Sequence, residues 1–120
     1  MLVDLQHSYR RIGSADVVTL DGEIDFFIEE ELREAVGRWV VPNGKVIVNL
    51  ESVSYMDSSG IKLLLHCHRE AIKCGCRLGL ITPSDPARIV NKVLRTARLL
   101  EVFTVFPTVS EAVNAMEGNA

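Results

Sequence analysis

Lys45-Val46-Ile47-Val48-Asn49-Leu50 is followed, after Glu51 to Met56, by Asp57-Ser58-Ser59-Gly60 and a helical pattern that stops at Gly75. The first run is almost continuously apolar and of strand length. Such a run suits a strand buried on both faces, as at the centre of an α/β sheet. Pro42-Asn43-Gly44 before it is a turn. The helix after it is predicted from about Ser59 to Lys73, and Gly75 is the glycine expected just past a helix C-terminus. A buried strand feeding a helix is the repeating unit of a parallel sheet.

The same alternation extends in both directions. Toward the N-terminus, His7 to Ile12 and Val17 to Leu20 read as strands, joined through Gly13-Ser14-Ala15-Asp16 as an antiparallel hairpin. Asp21-Gly22 marks a bend, and Gly22-Glu23-Ile24-Asp25 leads into a helix over about Ile28 to Val40. Ile28, Leu32, Ala35, Val36 and Trp39 share one face of that helix. Glu29, Glu30 and Glu31 lie in its first turn, opposing the positive end of the helix dipole.

Toward the C-terminus, Arg77 to Thr82 is a short strand. Asp85-Pro86 reads as a cap and first helical residue. The helix it opens carries Ile89, Val90, Val93, Leu94 and Ala97 on one face. A last strand falls within Val102 to Phe106. Thr108-x-x-Glu111 is a capping-box pattern that opens a final helix with Ala112, Val113 and Met116 inward. The order β-β-α-β-α-β-α-β-α predicts an α/β fold with a mixed, mainly parallel sheet of about five strands, an N-terminal antiparallel edge and about four helices.

Composition sets the outer limits. The 120 residues form a single expected domain, 1–120, large enough to bury a core unaided. The chain is 48% hydrophobic and 24% charged, which is ordinary for a globular protein. Thirteen Lys and Arg against 16 Asp and Glu leave a net charge of −3, so bulk charge does not suggest nucleic-acid binding. No apolar run is long enough for a membrane span. Met1 to His7 lacks the features of a signal peptide. The three cysteines suit a reducing cytoplasm.

Most catalytic chemistries are not encoded. The Gly-rich phosphate loops and the G-x-S-x-G elbow are missing. Ser58 would need a base within about 3 Å to act as a nucleophile. His66 and His68, on the same helix, are on the order of 12–15 Å away at helical rise. His66, Cys67, His68, Cys74 and Cys76 cluster in sequence, but His66 and His68 project to different faces and the spacings match no usual zinc pattern. Cys67 and Cys74 fall with Gly60, Leu64 and Ala71 on an apolar face, where thiols pack as small hydrophobes. His68 falls with Ile61, Leu65 and Ile72 and reads as a core histidine. No metal and no cofactor is expected.

Two cationic stripes are left over. Lys62, His66, Arg69 and Lys73 share one face of the helix after Asp57. Arg88, Lys92 and Arg95 share a face of the next. Each is either a solvated face or a docking face for an acidic partner. Asp57-Ser58-Ser59-Gly60 is similarly double-valued. Its polar residues suit helix capping, and its place after a central strand is where functional residues collect in open α/β sheets.

Tyr55-Met56-Asp57-Ser58-Ser59-Gly60-Ile61 resembles the phosphorylation motif of the STAS-domain anti-sigma factor antagonists. Gly22-Glu23-Ile24-Asp25, with Glu31-Leu32-Arg33-Glu34-Ala35 in the following helix, resembles that family's early segment. Leu99-Leu100-Glu101-Val102-Phe103 with Ser110-Glu111-Ala112-Val113 resembles its C-terminal signature. The resemblance implies the STAS fold and a bacterial, cytoplasmic regulator of transcription or signalling that is not an enzyme. Unphosphorylated, it would bind a serine kinase that doubles as an anti-sigma factor, or a related switch protein. Phosphorylated, it would be released, and a PP2C-type phosphatase would reset it. By the same resemblance Ser58 is the phosphoacceptor, and Asp25, Asp57, Ser59, Gly60, Ile61 and Lys62 belong to the partner surface. Phe26-Phe27 departs from the commoner small or polar residues after that early aspartate. The partners implied exclude nucleic acid and membrane, and the chain is expected to be a monomer. The alternative is a STAS scaffold or subunit of a signalling or lipid-transport complex that works without phosphorylation.

A phosphate adds about −1.5 to −2 charges. A helix N-terminus accommodates an anion, so a switch there would change the docking surface rather than unfold the chain. Ser59, one residue on, is open as an acceptor on the same grounds.

Overall fold

A computed structural model describes residues 6–25 and 28–117. Among them the strands are β1 (Gln6–Ile12), β2 (Ala15–Ile24), β3 (Lys45–Met56), β4 (Arg77–Ile81) and β5 (Thr104–Phe106). The helices are α1 (Glu29–Gly37), α2 (Ser58–Cys74), α3 (Ile89–Thr96) and α4 (Val109–Glu117). The strands form one sheet in the order β1-β2-β3-β4-β5. β1 runs antiparallel to β2, and the remaining neighbours are parallel. The expected element order and mixed sheet are both present.

Strand alternation explains the layers. Val18, Leu20, Val46, Val48 and Leu50 face a core built with Leu32 and Val36 of α1, Leu63, Leu64 and Cys67 of α2, and Val90 and Leu94 of α3. Ala15, Val17, Ile47 and Ile81 point the other way, against Ala112, Val113 and Met116 of α4. β3 is therefore covered on both faces, which is why its first half reads as an uninterrupted apolar run. Each fully buried aliphatic side chain in these layers contributes about 1.5–3 kcal/mol.

Several boundaries differ from expectation, each for a local reason. The β1–β2 connection is Gly13-Ser14 alone, because Ala15 pairs with Ile12 and Asp16 with Arg11. Gly13 has φ +60°, and the Glu117 carboxylate occupies the space a Cβ would need. Asp16 is thus a buried strand residue, not a turn residue. It accepts hydrogen bonds from Tyr9 Oη at 2.6 Å and Arg11 Nη1 at 3.1 Å. Tyr9 also stacks flat on Trp39, with ring centroids 4.0 Å apart.

α1 stops at Gly37, three residues short of Val40, where Trp39 and Val40 turn back onto the carbonyls of Val36 and Gly37. α3 begins at Ile89, three residues after the expected Pro86. Asp85 does cap, but it caps a turn: its carboxylate accepts from the Ala87 N–H at 2.9 Å. The buried Asn91 holds that turn, donating to the carbonyls of Pro83 and Asp85 at 2.7 and 2.8 Å. Thr108 caps α4 by accepting from the Glu111 N–H at 3.1 Å.

The largest difference is in β3, which runs six residues past Leu50 to Met56. Its pairing with β2 shifts register between Thr19 and Asp21 and again between Gly22 and Glu23. Each shift places one extra residue on β3, a β-bulge. Leu50, Val53 and Met56 consequently all face the helical core although they are spaced by three. Gly22, with φ +114°, supplies the backbone conformation the second shift needs.

Candidate functional site

The extended β2–β3 ladder positions the Asp57 segment. Ile24 pairs with Met56, and one residue further on the Asp57 N–H donates to the Ile24 carbonyl at 3.3 Å. Asp25 and Asp57 therefore follow the ends of neighbouring parallel strands. The Asp25 carbonyl accepts from the Ile28 N–H at 3.3 Å, closing a turn toward α1. Phe26 and Phe27 lie outside the described residues.

Asp57 is the N-cap of α2. Its backbone is extended, and its Oδ1 accepts from the Ser59 N–H at 2.8 Å. The Asp57 carbonyl takes the Gly60 N–H at 3.0 Å and the Ile61 N–H at 3.4 Å. Capping and exposure thus coexist here: Asp57 satisfies the helix start, while Ser58, the first helical residue, is exposed. Ser59 is only 6% exposed. The two serines, equivalent on helix-start grounds and told apart in the sequence only by the resemblance, lie in opposite environments.

Gly60 is a packing glycine. A Cβ there would overlap the Met56 side chain, 2.6 Å from its Sδ, and would stand 3.2 Å from Ile24 Cγ2. The first turn of α2 therefore rests directly on the last residues of β2 and β3. That close approach fixes the depth of the helix and leaves Ser58 at the surface.

Ser58, Ile61 and Lys62 stand at i, i+3 and i+4, one face of the helix. Lys62 is exposed and Ile61 half-buried. Ile61 forms part of an open groove of about 270 Å³ with Lys92, Val93, Thr96 and Ala97 of α3. α1 packs on another side of α2. Of the expected site residues, the structure brings Asp25, Asp57, Ser58, Ile61 and Lys62 to one end of the sheet, and buries Ser59 and Gly60 beneath them.

Arg88 and Lys92 belong to the α3 stripe that the sequence leaves open as a solvated or docking face; their place beside α2 and the Asp57 segment is set by the fold. Beyond Asn49, β3 has no partner on its β4 side. There Arg88 Nη2 donates to the Val53 carbonyl at 3.1 Å. The buried Asn91 had no signal in the sequence, since the helical pattern puts it between Arg88 and Arg95 on the polar side of α3.

Cys67 and His68 behave as packing groups. Burial pushes the Cys67 thiol up to about 11. Cys76 is also raised, mainly by burial. His68 lies tilted on Phe103 at 5.1 Å between ring centroids. Ile72, expected on the same inward stripe, is 68% exposed, while its neighbour Ala71 is buried, so the covered face at this end of α2 runs through Cys67 and Ala71. Among the described residues no group of three or more His, Cys, Asp or Glu is placed to hold a metal ion, and no helix is long and apolar enough to cross a membrane.

The STAS domain family matches residues 7–112, and the chain belongs to that family. The anti-sigma F factor antagonist of Lysinibacillus sphaericus is 36% identical over 76 residues, which span 62% of this chain and 65% of that protein, just under two thirds of it. The solved structure of the anti-sigma factor antagonist SpoIIAA in its unphosphorylated form is 27% identical with a TM-score of 0.75, over 94% of this chain and 97% of that one. The phosphorylated form of the Bacillus cell-fate determinant SpoIIAA is 26% identical with a TM-score of 0.67, over 92% and 98% of the two chains.

Proposed function

We propose that this chain is an anti-sigma factor antagonist whose binding is switched by phosphorylation of Ser58. The observation that carries the reading is the contrast between Ser58, exposed at the first position of α2, and Ser59, 6% exposed directly behind it. A kinase must reach the hydroxyl it modifies, and Ser58 is the accessible one. The printed names of the relatives, and a neighbour that exists in unphosphorylated and phosphorylated forms, support the reading.

In this reading the partner is a serine kinase that is also an anti-sigma factor, and a PP2C-type phosphatase removes the phosphate. The chain itself is a binding module in the cytoplasm and performs no catalysis. Asp25, Asp57, Ile61 and Lys62 surround the acceptor and form the contact surface; the buried Ser59 and Gly60 support it from beneath. The phosphate adds about −1.5 to −2 charges beside Asp57. The positive end of the α2 dipole favours an anion at this exposed position, so the fold persists. Like charge and desolvation act on the partner instead, and a loss of about 3 kcal/mol lowers affinity roughly 150-fold.

The test is phosphoryl transfer. Incubated with ATP and a serine-kinase anti-sigma factor from the same genome, the chain should gain the mass of one phosphate, mapped to Ser58. Ser58→Ala should bind that kinase constitutively and Ser58→Asp weakly. Transfer to Ser59, or equal affinity of the two variants, would overturn the switch.

A further inference from the structure

The α2–α3 groove begins one helical turn from Ser58, and its rim carries one sign of charge. Ile61, Val93 and Ala97 give it an apolar floor, with Lys92 and Thr96 on the α3 side. Ile89, at the start of α3, leaves 43% of its surface exposed. Lys92 lines the groove from α3, and Lys62, the residue after Ile61 on α2, is exposed. From Arg88 to Arg98 the chain carries Arg88, Lys92, Arg95 and Arg98 with no acidic residue between them. Arg88 and Arg95 are engaged by the carbonyls of Val53 and Pro86. Lys62 and Lys92 make no ion pair among the described residues. In a chain of net charge −3, Lys92 in the lining and Lys62 beside Ile61 are thus cations left without an ion pair, among the described residues, next to exposed apolar surface.

We propose that this groove docks an acidic amphipathic segment of the partner protein. Its apolar side chains lie on Ile61, Val93 and Ala97, and its carboxylates meet Lys62 and Lys92. Charge complementarity selects that occupant. A basic segment would be repelled by the rim, and a second copy of this chain meeting it face to face would bring the same two lysines against themselves. The proposal also gives the Ser58 switch a physical target, and in that step it rests on the reading above. Ser58 shares a helix face with Ile61 and Lys62, so a phosphate there sets negative charge at the mouth of a groove built to receive carboxylates. It would both repel the segment and draw the Lys62 ammonium toward itself.

The probe is a synthetic helical peptide with leucines at i, i+3, i+4 and i+7 and glutamates elsewhere, titrated into the isotopically labelled full chain. A second peptide with lysines replacing the glutamates is the control. Amide shifts should centre on Ile61, Lys62, Val93, Thr96 and Ala97, for the glutamate peptide only. Binding should weaken about tenfold between about 0.05 and 0.5 M salt, as exposed pairs are screened. Ser58→Asp should weaken it about threefold. The surface double variant Lys62→Glu with Lys92→Glu should reverse the preference between the two peptides. Shifts elsewhere, equal binding of both peptides, groove shifts with anionic vesicles instead, or concentration-dependent groove shifts without peptide would each overturn the proposal. Phosphate transfer to Ser58 is read separately by mass. A chain that is phosphorylated but ignores the peptide refutes the groove alone; one that binds the peptide but takes no phosphate refutes the switch alone.

Discussion

Arg88 Nη2 donates to the carbonyl of Val53 at 3.1 Å, joining residues 35 positions apart. This bond closes the side of β3 that β4 leaves unpaired, just ahead of the Asp57 segment. A half-buried guanidinium on a backbone carbonyl is a charge-assisted bond. Arg88→Ala should cost about 1–3 kcal/mol, read as a lower urea midpoint. Amide exchange should rise first at Val53 to Asp57. An unchanged midpoint with unchanged exchange would show that the bond holds nothing.

Gly60 should resist substitution because of Met56. In Gly60→Ala the added methyl meets the Met56 thioether, an overpacking cost of about 1–3 kcal/mol, partly offset by up to about 1 kcal/mol of helix propensity. Met56→Ala should relieve the clash. The double variant is expected to be more stable than the sum of the single losses predicts, as for residues in contact. Strict additivity would disprove the contact.

Asp57 acts on α2 through its cap. Asp57→Ala should lower stability by about 1 kcal/mol, whereas Asp57→Asn should cost only a few tenths, because both carboxylate and amide oxygens can accept from the Ser59 N–H. Thermal unfolding of the three proteins in parallel decides it. Equal losses for Ala and Asn would mean the carboxylate charge matters rather than the hydrogen bond.

The two serines should separate on stability alone. Ser58→Asp adds charge at an exposed helix start and should stay within about 0.5 kcal/mol of the parent. Ser59→Asp places a carboxylate where 6% of the residue is exposed, and should cost about 2 kcal/mol or more. Chemical denaturation of both variants is sufficient. Equal stability would remove the accessibility basis for choosing Ser58.

Cys67 should make the fold sensitive to alkali. Burial raises its thiol to about 11, against an ordinary thiol near 8.5–9 in the unfolded chain. Its contribution is complete below the unfolded value. As pH rises from about 9 to 11 the unfolded thiol ionises while the folded one stays protonated, so stability falls by about 2–3 kcal/mol. Cys67→Ala, less stable at neutral pH, should lose less over that interval than the parent. Thiol reagents should modify Cys74 and Cys76 in the folded protein well before Cys67.

How much of this was legible can be argued from β3. Lys45 to Leu50 announced a central strand because both faces are covered there. Its second half was not legible as strand, because Leu50, Val53 and Met56 break the two-residue period. Their common direction depends on two bulges against β2, a non-local pairing that no window of sequence contains. The start of α3 was misplaced for a similar reason. Asp85-Pro86 has the composition of a helix start, but Asn91 folds it into a separate turn by reaching back to Pro83 and Asp85.

By itself the chain's sequence determined the order of elements, the capping role available to Asp57 and the family resemblance, because periodicity, turn chemistry and local motifs are properties of neighbours in the chain. Only the tertiary structure buried Ser59 behind an exposed Ser58, set Gly60 against Met56 and joined Ile61 to Val93 and Ala97. Those relationships depend on how closely α2 is pressed onto the strand ends and how far α3 stands from it. Helix placement of that kind is decided by packing between segments distant in sequence, and packing is where the candidate docking groove arises.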